Sequence, residues 1–220
     1  MSFPFAWNEF ADQPHNVAPK SERLRYHLGH AARYLDLLWA NLRLAAPILA
    51  NLARLRAGLY ARPVALSNAF GLAVSPAGGD AVLDDLAESG ARETLLRVPS
   101  WEADKLDDYE TFARKIRERG LGLLIALLQR RDDVIDAASW TSFLDDAFAR
   151  FGPLASHFEV GHAWNRTKWG LWSFREYLEL AKPAFDLAPR RGVKLVGPAV
   201  IDFEFHLYPP TLPRLPFDKV

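Results

Sequence analysis

Phe158-Glu159-Val160-Gly161-His162-Ala163-Trp164-Asn165-Arg166 is the stretch on which the fold turns. It starts as a short apolar strand over residues 157–161 and passes through a glycine into a run of polar and aromatic side chains. Working outward, the same unit recurs. Residues 70–74 predict a strand, 80–88 a helix closed by Gly90, 94–98 a second strand, and about 107–119 a helix closed by Gly120. Residues 121–127 give a third strand, 140–151 a helix, 174–188 a helix after the fourth strand, and 193–200 a fifth strand. Short apolar strands alternating with amphipathic helices predict consecutive βαβ units, hence an α/β fold on a parallel sheet buried on both faces.

Two parallel architectures fit that alternation. A doubly wound nucleotide-binding sheet carries a glycine-rich turn after its first strand, but here the strand runs into Ser75-Pro76-Ala77-Gly78-Gly79-Asp80, which matches neither the dinucleotide fingerprint nor the phosphate loop. In a TIM-type (β/α) barrel, function gathers where strands end. The strand ends here are rich: Arg97 and Trp101, Gln129 and Arg130, the run from His162 to Trp169, and that from Asp202 to His206. The barrel is the preferred reading, with about five βα units present.

Leu95-Leu96-Arg97-Val98-Pro99-Ser100-Trp101 resembles the second-strand ending of the clan of (β/α)₈-barrel retaining glycosidases, which includes β-xylosidase and α-L-iduronidase-like enzymes. The resemblance implies that Arg97 supports a nucleophilic carboxylate. In that clan the fourth strand typically ends Gly-Asn-Glu-Pro-Asn, with the Glu as general acid/base. Aligned on Gly161, His162 replaces the first Asn, Ala163 the Glu and Trp164 the Pro, while Asn165 keeps the final Asn. Ala163 has no proton to donate. The resemblance covers about residues 68–205.

Retaining hydrolysis uses two carboxyl groups about 5 Å apart. The alignment removes the acid/base, and the nucleophile of the clan would lie on a seventh strand. The five strands end near residue 201, and Pro209, Pro210, Pro213 and Pro216 bar long regular structure beyond it. A full barrel takes about 250 residues, so the barrel is expected to be partial, with an apolar sheet edge that invites self-association.

Three groups are candidates for the missing catalytic role: His162, as an imidazole that can serve as an acid, and Asp202 with Glu204, which share one face if the fifth strand runs on. Each has a plainer reading, His162 as a hydrogen-bonding strand-end residue and the two acids as arginine-paired loop carboxylates. Glu159 is expected low in the barrel in a structural role. Arg97, Trp101, Gln129, Trp164, Asn165, Arg166 and Trp169 are candidates for binding sugar, through aromatic faces and hydroxyl-directed polar groups. Trp172, Lys168 and Tyr208 lie near the same mouth. The functional expectation is a glycoside hydrolase-like protein acting on or binding polysaccharide or glycolipid; the alternatives are a non-catalytic carbohydrate-binding or scaffold protein, and a truncated fragment.

Residues 1–66 differ in character from residues 67–220 and are read as a separate basic, amphipathic helical segment. Leu24, Leu28, Ala31, Leu35, Leu38, Leu42, Ala45, Leu49 and Leu52 recur in steps of four and three, and Pro47 is expected to kink or split the helix. Arg23, Arg25, Arg33, Arg43, Arg54 and Arg56 occupy other faces. The stripe packs on the barrel or a partner, or residues 22–60 lie on an anionic membrane surface. Charged and polar residues punctuate it too often for a membrane span.

The chain carries 27 basic and 27 acidic residues, which removes the bulk electrostatic argument for nucleic acid. With no cysteine there is no disulfide framework, thiolate nucleophile or Cys-based zinc site. His27 and His30 sit three apart without a carboxylate cluster, so neither metal nor cofactor is predicted. The start lacks a basic stretch followed by an apolar one, so a cytoplasmic location is expected, with peripheral attachment at the inner face of the membrane as its extension.

Overall fold

The computed structural model describes residues 5–8, 13–16, 19–59, 61 and 70–220. The expected boundary at residue 66 lies outside the described residues. Two short strands, β1 (Phe5–Asn8) and β2 (Gln13–Asn16), pair antiparallel and precede the helices α1 (Lys20–Gly29) and α2 (Ala32–Leu59). Then β3 (Gly71–Val74), α3 (Gly79–Ser89), β4 (Glu93–Pro99), α4 (Leu106–Glu118) and β5 (Gly122–Leu128) alternate. They are followed by α5 (Arg131–Ile135), α6 (Ala137–Phe151), β6 (His157–Val160), α7 (Phe174–Arg191), β7 (Leu195–Val196) and the single turn α8 (Tyr208–Thr211).

The five later strands form one parallel sheet in the order β3-β4-β5-β6-β7. A doubly wound sheet reverses its strand order at a switch point, whereas a barrel adds each strand beside the last. The uninterrupted order is therefore an open arc of (β/α)-barrel type. Local chemistry marks its helix ends: Asp136 accepts from the Ala138 and Ser139 N–H groups at the start of α6, and Ser173 Oγ from the Glu176 N–H at the start of α7.

The period of two along each strand divides the sheet into two faces. Leu96, Val98, Leu123, Ile125, Leu127, Phe158 and Val160 join Phe112, Ile116, Leu144, Phe148 and Tyr177 of the covering helices in the main core. Burial of each large side chain contributes about 1.5–3 kcal/mol. On the concave face a smaller cluster holds Ala126, Leu128, Ala163 and Trp169, with Leu95, Trp101 and Ile201 against it. That second cluster lies at the C-terminal ends of the strands and shapes the site.

Three features depart from the sequence reading. The N-terminal helices break at His30-Ala31, after Gly29, while α2 runs unbroken through Pro47. A proline removes one backbone donor, and the Leu- and Ala-rich turns around it hold the rest of the helix. The apolar stripe does not pack on the barrel: Leu24, Leu28, Leu35, Leu38, Leu42, Leu49 and Leu52 are each more than half exposed. Instead α2 docks through another face, with Leu37 and Ala40 against the core, Asp36 bonded to Arg175 at 2.5 and 2.6 Å, and Asn41 Nδ2 donating to the His206 carbonyl at 2.8 Å. The fifth strand is two residues long rather than eight, because Pro198 has no N–H to offer a ladder. No helix among the described residues is long and apolar enough to cross a membrane.

Candidate functional site

Strand register builds the first part of the site. Arg97 pairs with Ala126 and Ala126 with Glu159, so the three form one row across β4, β5 and β6 on the concave face. Immediately after β6 the chain turns at Gly161, where φ is 81° and an added Cβ would lie 2.6 Å from the Tyr177 ring. Only glycine permits that approach, and it swings His162 back over the strand end. His162 Nδ1 is 2.5 Å from Glu159 Oε1, and its ring meets Trp169 edge-on with centroids 4.8 Å apart. With the carboxylate accepting at Nδ1, the Nε2 atom is the one left to exchange protons or bind a hydroxyl. Gln129, buried at the end of β5, donates Nε2 to the carbonyls of His162 and Trp169, both at 3.0 Å, and so ties the two ends of the connection together.

Ala163, which the glycosidase resemblance puts in the place of the acid/base, has φ 47° and no exposed surface. It packs in the small apolar cluster with Ala126, Leu128 and Trp169. Trp164 is likewise buried, stacked on Tyr177 with centroids 4.8 Å apart and planes 6° from parallel. Arg97 lies half-buried in its row, and Trp101 stands in the short turn Ser100–Lys105, against the same apolar cluster as Ala163.

The expected carboxylate pair forms in another way. Asp202 and Glu204 do not continue the fifth strand, which ends at Val196; both lie in the following loop and bond the guanidinium of Arg166. Asn165 closes the cluster, donating to the Ile201 carbonyl at 2.8 Å and Glu204 Oε2 at 3.0 Å, and accepting from the Ile201 N–H at 3.1 Å. Burial pushes the Glu204 pKa up, but the bonds from Asn165 and Arg166 outweigh it and hold the carboxyl below its ordinary range. The bond to Glu204 raises the Arg166 pKa in turn. A carboxylate so held is a poor proton donor.

Trp164, Asn165 and Arg166 also line a cleft of about 750 Å³, together with Lys168, Trp172, Glu204 and residues of the N-terminal helices. His162, Gln129, Trp169, Arg97 and Trp101 are not part of that lining. The sequence reading did not foresee that Lys20, Arg23, His27 and Arg33 complete the cleft from α1 and the start of α2. The only signal was a concentration of basic residues over 20–33, which does not say where the helices dock. Arg33 ties α2 to the β6–α7 connection by donating to the Trp172 carbonyl at 3.0 Å, and its other terminal nitrogen donates to Tyr34 Oη on the same helix at 2.8 Å. Burial lowers the pKa of Lys168, helped by the charge of Arg166. Burial also lowers that of His27, helped by Arg33, Arg23 and His30.

No family model matches the chain, and no curated protein matches it. Among solved structures it is similar to a beta-glucosidase from Thermotoga maritima in complex with glucoimidazole, at 12% identity and TM-score 0.42 over 51% of this chain and 35% of that one. It is similar to the virulence factor SghA from Agrobacterium tumefaciens, at 13% identity and TM-score 0.40 over 53% and 35%. A third is the GH1 beta-glucosidase from Exiguobacterium antarcticum B7, at 11% identity and TM-score 0.45 over 61% and 48%. The chain thus spans from about a third to about half the length of these structures.

Proposed function

We propose that this chain is a carbohydrate-binding protein on a partial glycosidase-like barrel that lacks the hydrolytic acid/base of that architecture. The observation that carries the reading is Ala163: its methyl is sealed in an apolar cluster, so neither a proton donor nor space for one exists at that position. Trp164, Asn165 and Arg166 are the sugar-binding candidates in the cleft. Arg97, Trp101, Gln129 and Trp169 hold the strand-end surface beside it. Asp202 and Glu204 orient Arg166.

A second reading keeps hydrolysis, and the bond between Glu159 and His162 favours it, because a carboxylate-oriented imidazole is a competent general acid or base. Calorimetric titration against neutral and acidic oligosaccharides, with parallel assay of released reducing ends, separates the two. Heat without product supports binding alone. Product release that disappears in His162→Ala would overturn the non-catalytic reading.

The exposed leucine stripe, flanked by Arg25, Arg43 and Arg54, supports an anionic membrane surface as a second partner and a peripheral location at the inner face of the membrane. Flotation with anionic vesicles, with and without residues 1–66, tests it: equal binding of the two forms, or binding of neither, sinks the membrane reading.

A further inference from the structure

Helix α1, which walls one side of the cleft, buries none of its residues and is lightly held. Tyr26 and His30 meet Trp172 edge-on, with centroids 5.1 and 5.5 Å apart. Arg33, at the start of α2, reaches in two directions: Nη1 donates to the Trp172 carbonyl at 3.0 Å, and Nη2 donates to His27 Nδ1 on α1 at 2.7 Å. Helix α2 has its own anchor in the two bonds between Asp36 and Arg175, so the turn at His30-Ala31 separates an anchored helix from a lightly held one.

That geometry fixes the protonation state of His27. A guanidinium only donates, so the Nδ1 atom beside Arg33 carries a lone pair and the ring proton sits on Nε2. Tyr34 Oη lies 2.8 Å from both His27 Nδ1 and Arg33 Nη2, which closes a triangle around the neutral imidazole. No carboxylate bonds the ring among the described residues. Arg23 and His30 act on it from its own helix and Arg33 from α2. From the barrel, Lys168, Arg166 and Glu204 line the same cleft, the last two bonded to each other, while Arg131 and Glu176 pair at 2.8 Å beside Trp172. Burial, then Arg33, Arg23 and His30, hold the His27 pKa below its ordinary value.

We infer that His27 and Arg33 form a pH-sensitive latch, which holds α1 against the cleft while His27 is neutral and releases it on acidification. Protonation replaces the acceptor at Nδ1 with a donor and sets two cations side by side, so an attraction becomes a repulsion. Because the value is depressed, the docked state binds fewer protons than the released helix. Docking is therefore complete above the ordinary histidine range and is lost as pH falls through the lower, docked-state pKa. Release takes Lys20, Arg23, Leu24 and His27 from the cleft together, because α1 carries all four. The latch changes access to the cleft whatever the cleft binds, and so stands apart from the carbohydrate reading.

Double electron-electron resonance between spin labels on Ser21→Cys and Glu179→Cys of the full chain tests this, the sequence having no other cysteine to label. Both sites are exposed, one on α1 and one on α7. A single docked distance is expected at about pH 8, giving way below about pH 6.5 to a longer, broader distribution. His27→Gln, whose amide oxygen accepts from Arg33 and does not titrate, is expected to keep the docked distance at both extremes. Titration of labelled histidine rings by NMR, with His27 assigned through that variant, is expected to show the Nε2–H form and a midpoint below the ordinary value. An unchanged distance between about pH 8 and about pH 5 would overturn the latch, as would a His27 midpoint at or above about 6.5. A loss of docking that persists in His27→Gln, or that disappears in His30→Gln alone, would overturn it as well. Should His27→Gln be undocked throughout, the parent protein decides: a His27 midpoint coincident with the loss of the docked distance supports the latch, and a mismatch overturns it.

Discussion

At Ala163 two constraints coincide, a left-handed backbone and complete burial among Ala126, Leu128 and Trp169. A carboxylate placed at this position, Ala163→Glu, is therefore expected to destabilise the fold rather than to create a proton donor. It forces a charged side chain into an apolar cluster without a partner, at an expected cost of about 3–5 kcal/mol in urea unfolding. A stable Ala163→Glu protein that releases reducing ends would mean that the site is open after all. Glu204 makes a contrasting residue-scale case, because its carboxyl is held below its ordinary range by Asn165 and Arg166. The native state then binds fewer protons than the unfolded chain, so this contribution to stability is present above the ordinary Glu pKa and lost as pH falls through the depressed value. Melting temperature followed downward from neutral pH should fall more steeply below about pH 4.5 in the parent than in Arg166→Gln. Parallel acid limbs would remove Arg166 as the cause.

Among the elements, the alternating β and α units were legible because each carries its own period and stop signal. Gly90, left-handed just past α3, and the apolar strand β5 are examples. What was not legible depended on partners distant in sequence. The stripe on α2 has the same period whether buried or exposed; the contact face is selected by Asp36 meeting Arg175, a pair 139 residues apart. Glu159 gave no sign of bonding His162, since that geometry needs the chain reversal at Gly161. Likewise the pairing of Asp202 and Glu204 with Arg166 follows from a fifth strand that stops early, and its length is set by Pro198 and the tail beyond it. The exposed stripe yields an element-scale prediction. Leu38→Glu with Leu42→Glu should leave unfolding free energy within about 0.5 kcal/mol per substitution, as for other surface changes. The same double variant should abolish vesicle flotation, because the lost apolar contact and the added negative charge both oppose an anionic surface. A large loss of stability instead would show that the stripe is covered within the folded chain.

For the molecule as a whole, an open parallel arc has two edges, and they are treated differently. The β7 edge is occupied by the chain's own tail: Val196 bridges Lys219, the Asp218 N–H donates to the Leu195 carbonyl at 2.9 Å, and Asp218 Oδ2 accepts from the Leu195 N–H at 2.8 Å. Among the described residues β3 pairs only with β4, and Phe70 and Leu72 beside that edge are 54% and 38% exposed. An unpaired strand next to exposed apolar side chains is a template for another chain. The expected consequence is concentration-dependent self-association through β3, visible by sedimentation velocity as a dimer that grows with loading. Leu72→Lys should return the protein to monomer, since a charge there opposes edge pairing while removing a side chain that is only partly buried. Because no β3 residue lines the cleft, the same substitution should leave carbohydrate binding intact. Loss of both together would place the binding site across two copies of the chain.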